Sequence, residues 1–314
     1  MDFSSIRDLC ANVKNSVQTV IVGKDEVIEL MLTALIARGH VLVEDVPGTG
    51  KTVAAKALAR SLDCSFGRIQ FTPDLLPSDV TGMSIYDQRT GDFSWKAGPI
   101  FRGIVLADEI NRATPRTQSA LLECMEERTV TEGGETRSLP RPFMVLATQN
   151  PIEIQGTFPL PEAQLDRFFL RLRMGYPSTQ EALAILNRFQ QADPLSTLTP
   201  VATAEAIIAA QELFPSVLVS DAVREYIVAL VERTRALEGI LLGVSPRGSL
   251  AMMRAAQVWA LLRGRDYVLP DDVKALAVPV LAHRIVLRSA LSRAGAAEAA
   301  IEEAVKLTPV PSEA

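Results

Sequence analysis

Residues able to handle a polyphosphate gather between positions 41 and 59, VLVEDVPGTGKTVAAKALA. Val41, Leu42 and Val43 read as a buried strand; a turn with Pro47, Gly48, Thr49 and Gly50 follows, and Lys51, Thr52 and Val53 open a helical pattern. Lacking Cβ atoms, Gly48 and Gly50 let backbone N–H groups close on an anion at the helix N-terminus. The expected chemistry is the gripping of a nucleoside triphosphate, with Lys51 reaching the β- and γ-phosphates and the Thr52 hydroxyl ligating Mg²⁺. Asp45 stands where the strict phosphate-loop pattern has glycine, so the assignment rests on the strand, turn and helix around it. The alternative is a plain glycine-rich turn with an exposed lysine.

A second reactive set lies in GIVLADEINRATPRTQSALLECMEE. Residues 104–107 read as a buried strand with Asp108 and Glu109 at its C-terminal end, where open parallel sheets place ligands. Asp108 is expected to hold Mg²⁺ through water and Glu109 to polarise the water attacking the γ-phosphate. A capping role for the two acids is weakened because the next helix has its own start, Thr114 followed by Pro115. Asn150, after an apolar run at 143–148, either orients the attacking water or turns the chain ahead of Pro151. Arg167, in Asp166-Arg167-Phe168, either neutralises charge on a γ-phosphate bound by an adjacent subunit or pairs with Asp166. Arg247 falls in the first turn of a helix, an unfavourable place for a cation, which points to a nearby anion or to a solvated side chain. The Val22-Gly23 turn is a candidate for touching the nucleotide base through its backbone.

The elements that must hold these groups follow from periodicity. Residues 1–19 form an amphipathic pattern with Ile6, Leu9, Cys10 and Val13 on one face, and Val27, Leu30, Met31, Ala34 and Leu35 continue helical spacing. A strand is expected at 68–72, and hairpins at 82–86 with 92–95 and at 129–131 with 136–139. The first hairpin carries Phe93 and Trp95, which either contact a partner or pack on the sheet. Beyond Tyr176 the pattern is helical, at 182–189, 203–213, 221–236, 246–262 and 271–287, with a frayed tail from Glu303.

With 314 residues, 48% of them apolar and 22% charged, the chain has the composition of a globular protein with a substantial core. The balance of 32 basic against 37 acidic residues, net −5, argues against a general nucleic-acid surface. No run is long and apolar enough for a membrane span, and the N-terminus lacks a signal-peptide core, so a cytoplasmic protein without membrane insertion is expected. Cys10, Cys64 and Cys124, far apart, read as reduced structural thiols. His40 and His283 are isolated and read as surface or capping residues, not zinc ligands.

Taken together, VIVGKDEVIELMLTALIARGHVLVEDVPGTGKT, RIQFTPDLLPSDVTG, VLADEINRATPRTQSALLECMEE, LPEAQLDRF and SPRG resemble the MoxR group of AAA+ ATPases over essentially the whole chain. The resemblance implies an α/β P-loop core, a five-stranded parallel sheet flanked by helices with hairpin insertions, over residues 1–175, and an all-α lid over 176–314. It implies Lys51 and Thr52 as the Walker A pair, Asp108 and Glu109 as Walker B, Asn150 as sensor 1, Arg167 as an arginine finger acting in trans and Arg247 as sensor 2. ATP or ADP with Mg²⁺ would sit between core and lid, and Arg167 of an adjacent subunit would complete the site in a homo-oligomeric ring, a hexamer. The group's members are chaperone-like remodellers that commonly work with von Willebrand factor A-domain proteins in maturation or metal insertion; no such domain is read in this sequence, so the partner would be a separate chain. A nucleotide-gated scaffold with little hydrolysis and a DNA-remodelling ATPase are the alternatives.

Overall fold

The computed structural model describes residues 2–89, 91–150, 156–190, 193–288 and 295–311. Its N-terminal part contains helices α1 (Phe3–Gln18) and α2 (Asp25–Ile36), strand β1 (Val41–Glu44), helix α3 (Lys51–Ser61), strand β2 (Phe66–Gln70), helix α4 (Pro77–Thr81) and hairpin β3 (Gly82–Asp87) with β4 (Asp92–Ala97). There follow β5 (Ile104–Asp108), α5 (Pro115–Glu127), hairpin β6 (Thr129–Glu132) with β7 (Glu135–Ser138), β8 (Met144–Gln149), α6 (Glu162–Leu165) and β9 (Leu170–Leu172). Five of these strands form one parallel sheet in the order β2-β5-β8-β1-β9. The three inner strands, β5, β8 and β1, are near-continuous apolar runs because helices cover both faces of the sheet; Val41, Leu42, Ile104, Val105 and Val145 are all fully buried.

Parallel pairing puts every strand's C-terminus on one edge. Gln70 lies opposite Asp108, and Glu44 opposite Gln149, so the polar residues that end the strands come together there. At the other edge, where the strands begin, sits His40.

The C-terminal part is helical, with α7 (Thr179–Phe189), α8 (Pro194–Thr197), α9 (Ala204–Leu213), α10 (Asp221–Ala236), α11 (Pro246–Leu262), α12 (Pro270–Leu281) and α13 (Ala296–Leu307). A short antiparallel pair, β10 (Ile240–Leu242) with β11 (Val286–Leu287), joins them. Two sequence expectations are corrected here. The helix expected over 271–287 stops at Leu281: residues Ala282–Arg284 tighten into a 3₁₀ turn that aims His283 and Arg284 at the carbonyl of Phe168, and the apolar residues that follow pair as β11. The tail is not frayed from Glu303 but helical to Leu307, because Ile301 and Ala304 are fully buried where α13 packs on α10 and α12.

The two histidines are not at the surface. His40 is buried, its Nδ1 accepting the Val145 N–H at 3.0 Å, which leaves Nε2–H to donate to the Met125 carbonyl at 2.9 Å. Protonation would set a second N–H against that of Val145, and burial with the Arg128 charge lowers its pKa to about 3. His283 is likewise held well below its ordinary value by burial. Since the folded imidazole resists a proton that the unfolded one takes up near pH 6.5, stability is full above that pH and falls as pH drops toward 3. A loss of about 1.4 kcal/mol per pH unit from each histidine is expected below pH 6. Urea unfolding of wild type and His40→Asn at pH 7 and pH 5 checks this; an equal pH response in the two would refute the assignment to His40.

The insertions touch each other. Trp95 of β4 packs edge-on against Phe101 at 6.1 Å and receives Arg137 of β7 over its face at 4.3 Å, whereas Phe93 stacks with Tyr86 and is 73% exposed. The open question about this hairpin is thus split: Trp95 packs and Phe93 projects.

Candidate nucleotide site

The turn between β1 and α3 has the backbone a phosphate cradle needs. Gly48 and Gly50 adopt φ of 85° and 89°, the left-handed region, and a Cβ on Gly48 would meet no atom within 4 Å, so the space above the turn is open. Lys51 Nζ is held over the loop by the carbonyls of Asp45 (2.9 Å) and Val46 (2.8 Å). Thr49 Oγ1 donates to Val46 O at 3.3 Å, while Pro47, Thr52 and Val53 complete the turn and the first residues of α3.

The structure also explains Asp45. Its Oδ1 accepts the Val46 N–H at 2.8 Å and its Oδ2 the Gly175 N–H at 2.7 Å, so it caps its own loop and ties the cradle to the segment after β9. A glycine there would release that tie.

The acid pair ends β5 on the same edge. Asp108 Oδ1 accepts the Thr148 hydroxyl at 2.6 Å, and its Oδ2 accepts Arg68 Nη2 at 2.7 Å. Glu109 Oε2 accepts Gln70 Nε2 at 2.7 Å and Arg112 Nη1 at 3.0 Å. Its backbone sits at φ 57°, ψ 49°, left-handed for a residue with a Cβ, a strain of about 1–2 kcal/mol. That conformation directs the Glu109 N–H onto Thr148 Oγ1 at 2.9 Å. One buried hydroxyl therefore receives from the second acid and donates to the first.

Neither Thr148 nor the β2 pair Arg68 and Gln70 was singled out by the sequence. The usable signal is that β2 and β8 flank β5, which needs the strand order. Thr148→Val keeps the shape but strands the Glu109 N–H, and is expected to destabilise the fold by about 1–3 kcal/mol. An unchanged urea midpoint would show that the hydroxyl is not needed.

Asn150 is buried one residue beyond β8, where the preceding Gln149 carbonyl accepts the Asp45 N–H at 3.2 Å. It thus borders both cradle and acid pair; the turn proposed ahead of Pro151 lies outside the described residues. Val22 and Gly23 form a turn, Gly23 at φ 68°, closed by α7: a Cβ on Gly23 would run into the Glu181 side chain. Lys24 Nζ donates to the Tyr176 carbonyl at 3.4 Å beside it.

The two candidate arginines are brought together, and away from the cradle. Arg167 Nε lies 3.1 Å from Glu126 Oε2, and Arg247 Nη2 donates to Glu126 Oε1. Glu126 follows Met125, whose carbonyl binds His40 at the start of β1, whereas Lys51 follows the end of β1; strand and cradle separate them by about 13 Å or more. The anion that Arg247's helical position calls for is, within one chain, Glu126. Asp166 does not pair with Arg167: it is held by Arg284 and by Ser245 Oγ at 2.9 Å, because the turn after α12 presses Arg284 into the gap. Around the arginine pair opens a cavity of about 1130 Å³ lined by seven arginines and four carboxylates.

The residues present suit a bound nucleotide with magnesium: an open loop with two left-handed glycines, a lysine on the loop, and an acid pair ending β5 on the same edge of the sheet, with β8 between them. A bound Mg²⁺ would neutralise phosphate charge beside Thr52 and Asp108.

Comparison with known proteins agrees with this architecture. Residues 40–170 match the family described as "ATPase family associated with various cellular activities (AAA)", and residues 232–304 match the AAA lid domain. The uncharacterized protein YeaC of Bacillus subtilis is 52% identical over 307 residues, covering 98% of this chain and 96% of that protein. The chaperone MoxR1 of Mycobacterium tuberculosis is 45% identical over 86% of this chain and 74% of its own length. A crystal structure from Cytophaga hutchinsonii, described as that of a candidate ATPase, superposes with a TM-score of 0.92 at 38% identity, covering 99% of this chain and 97% of that one. Among the described residues no helix is long and apolar enough to cross a membrane. With cradle, acid pair and helical lid in one fold, and relatives matched along nearly its full length, the chain belongs to the MoxR family of AAA+ ATPases.

Proposed function

We propose that the protein binds and hydrolyses ATP in a homo-oligomeric ring, a hexamer, and uses the cycle to remodel protein partners. Residues 46–53 grip the triphosphate, with the Val22-Gly23 turn under the base. Thr52 and Asp108 hold Mg²⁺. Glu109, kept in place by Gln70, Arg112 and Thr148, takes a proton from the attacking water, which Asn150 helps orient. Residues 1–175 act as the core and 176–314 as the lid.

The carrying observation is that Arg167 and Arg247 share Glu126 at the sheet edge opposite the cradle. Neither serves the phosphates of its own chain; both suit the triphosphate of a neighbour, at the contact between subunits rather than between one chain's core and lid. The excess of arginines around them favours an anion there. The partner we propose is a separate protein with a von Willebrand factor A domain, met in the cytoplasm, with Phe93 on the projecting hairpin available to it.

The test is ATP turnover per protomer against protein concentration. Turnover should rise as subunits associate; a constant value down to dilutions where only monomer is present would sink the shared site.

A further inference from the structure

Glu126 stands between two guanidinium groups supplied by distant parts of the chain, Arg167 before β9 and Arg247 in the first turn of α11. Each takes one carboxylate oxygen. Arg167 is engaged through Nε, which leaves its two Nη groups unclaimed among the described residues. Side-chain exposures of 34% for Arg167, 35% for Glu126 and 47% for Arg247 leave the trio open to a ligand arriving from outside. Two cations so close repel each other, and each long side chain has rotamer freedom to lose on being ordered. A shared carboxylate offsets the repulsion and orders both before any ligand comes.

The element that carries Glu126 adds to this. Helix α5 starts at the turn after Glu109, where Gln118 Nε2 donates to the carbonyls of Ile110 (3.1 Å), Ala113 (3.2 Å) and Phe158 (2.8 Å). It ends about 20 Å on, at Glu126 and the arginines. One rigid helix therefore runs from the turn that follows its own chain's acid pair to the glutamate that engages both arginines.

We infer that Glu126 is a positioning residue, holding Arg167 and Arg247 as a preset pair that one subunit presents to the triphosphate bound by the next. The inference rests on the reading that these arginines act between subunits. Because a part-exposed ion pair contributes little to folding, its loss appears in turnover and not in stability.

Glu126→Gln in the full-length assembled protein tests it. The expected result is a fall in kcat of roughly 10- to 100-fold, as for a misplaced catalytic group, with KM for ATP and the melting temperature nearly unchanged. Wild-type kcat overturns the proposal, and a raised kcat does so too, since it would mean that Glu126 sequesters the arginines. If the glutamine variant does not assemble, Glu126→Asp retains the charge one methylene shorter: lowered kcat at unchanged KM supports the proposal and wild-type kcat overturns it. Mixing separates it from the reading beneath it. Lys51→Ala subunits, which lack the phosphate lysine but present intact arginines, should restore turnover to Glu126→Gln subunits and to Arg167→Ala subunits alike. Rescue of Arg167→Ala without rescue of Glu126→Gln overturns the role of Glu126, and rescue of neither overturns action between subunits.

Discussion

Replacing Arg167 with alanine is expected to lower kcat of the assembled protein by about 10³-fold or more, the scale of a guanidinium that meets charge developing on a transferring phosphoryl group. The affinity of a single protomer for ATP should change only a fewfold. The argument is positional. Arg167 precedes β9 on the edge where the strands begin, its neighbour Phe169 donating to the His40 carbonyl at 2.8 Å, while the cradle lies at the strands' far ends. Asp166 makes no claim on it, being fully engaged by Arg284 and Ser245. Loss of the side chain therefore removes nothing from the chain's own phosphate grip and little from its fold, for the ion pair with Glu126 is about a third exposed on both sides. Single-turnover hydrolysis together with calorimetric ATP titration measures the two quantities. A variant keeping more than a tenth of wild-type turnover in the assembled state would remove Arg167 from the mechanism.

Glu109→Gln should reduce kcat by about 10²–10⁴-fold, the usual worth of a positioned general base, with Mg·ATP still bound. Glutamine retains the length of the side chain and an oxygen for Gln70 or Arg112, so the local hydrogen bonds survive in part. What it loses is the capacity to take a proton. The left-handed backbone at Glu109 persists in the variant because it is set by the bond from its N–H to Thr148 and by the turn that follows. Equal losses of kcat and ATP affinity would place Glu109 in nucleotide binding instead. Arg68 offers a related contrast: it pairs with Asp108 Oδ2 at 2.7 Å, on the acid expected to hold the metal, and not with Glu109.

How far the site was legible depends on how local each part is. The cradle is contiguous, and its glycines declare their conformation by type, since 85° and 89° are values of φ that residues with a Cβ rarely adopt. Asp108 and Glu109 declare themselves by following an apolar strand. Hairpins were legible from alternation and turn residues, and the starts of α5 and α11 from Thr114-Pro115 and Ser245-Pro246. The misses share another cause. His40 and His283 are polar types in buried places: both ring nitrogens of His40 and Nε2 of His283 find backbone partners 85 to 115 residues away in sequence. The α13 helix was missed because a short apolar stripe, Ile301 and Ala304, reads as weak until the groove that receives it is known.

By itself the order of residues determined that a strand, a glycine turn and a helix would follow one another at 41–59, that an acid pair would close a later strand, and that helices would follow. These depend on backbone sterics and on periods of two or 3.6 residues, which act over short spans. Only the folded chain decided that Thr148 would bridge the two acids, that Arg284 would take Asp166, and that Arg167 and Arg247 would meet on Glu126 at the far edge of the sheet. Those pairings join segments 39 to 121 residues apart, and a charged group's partner is set by which strands and helices lie side by side, something no local pattern encodes.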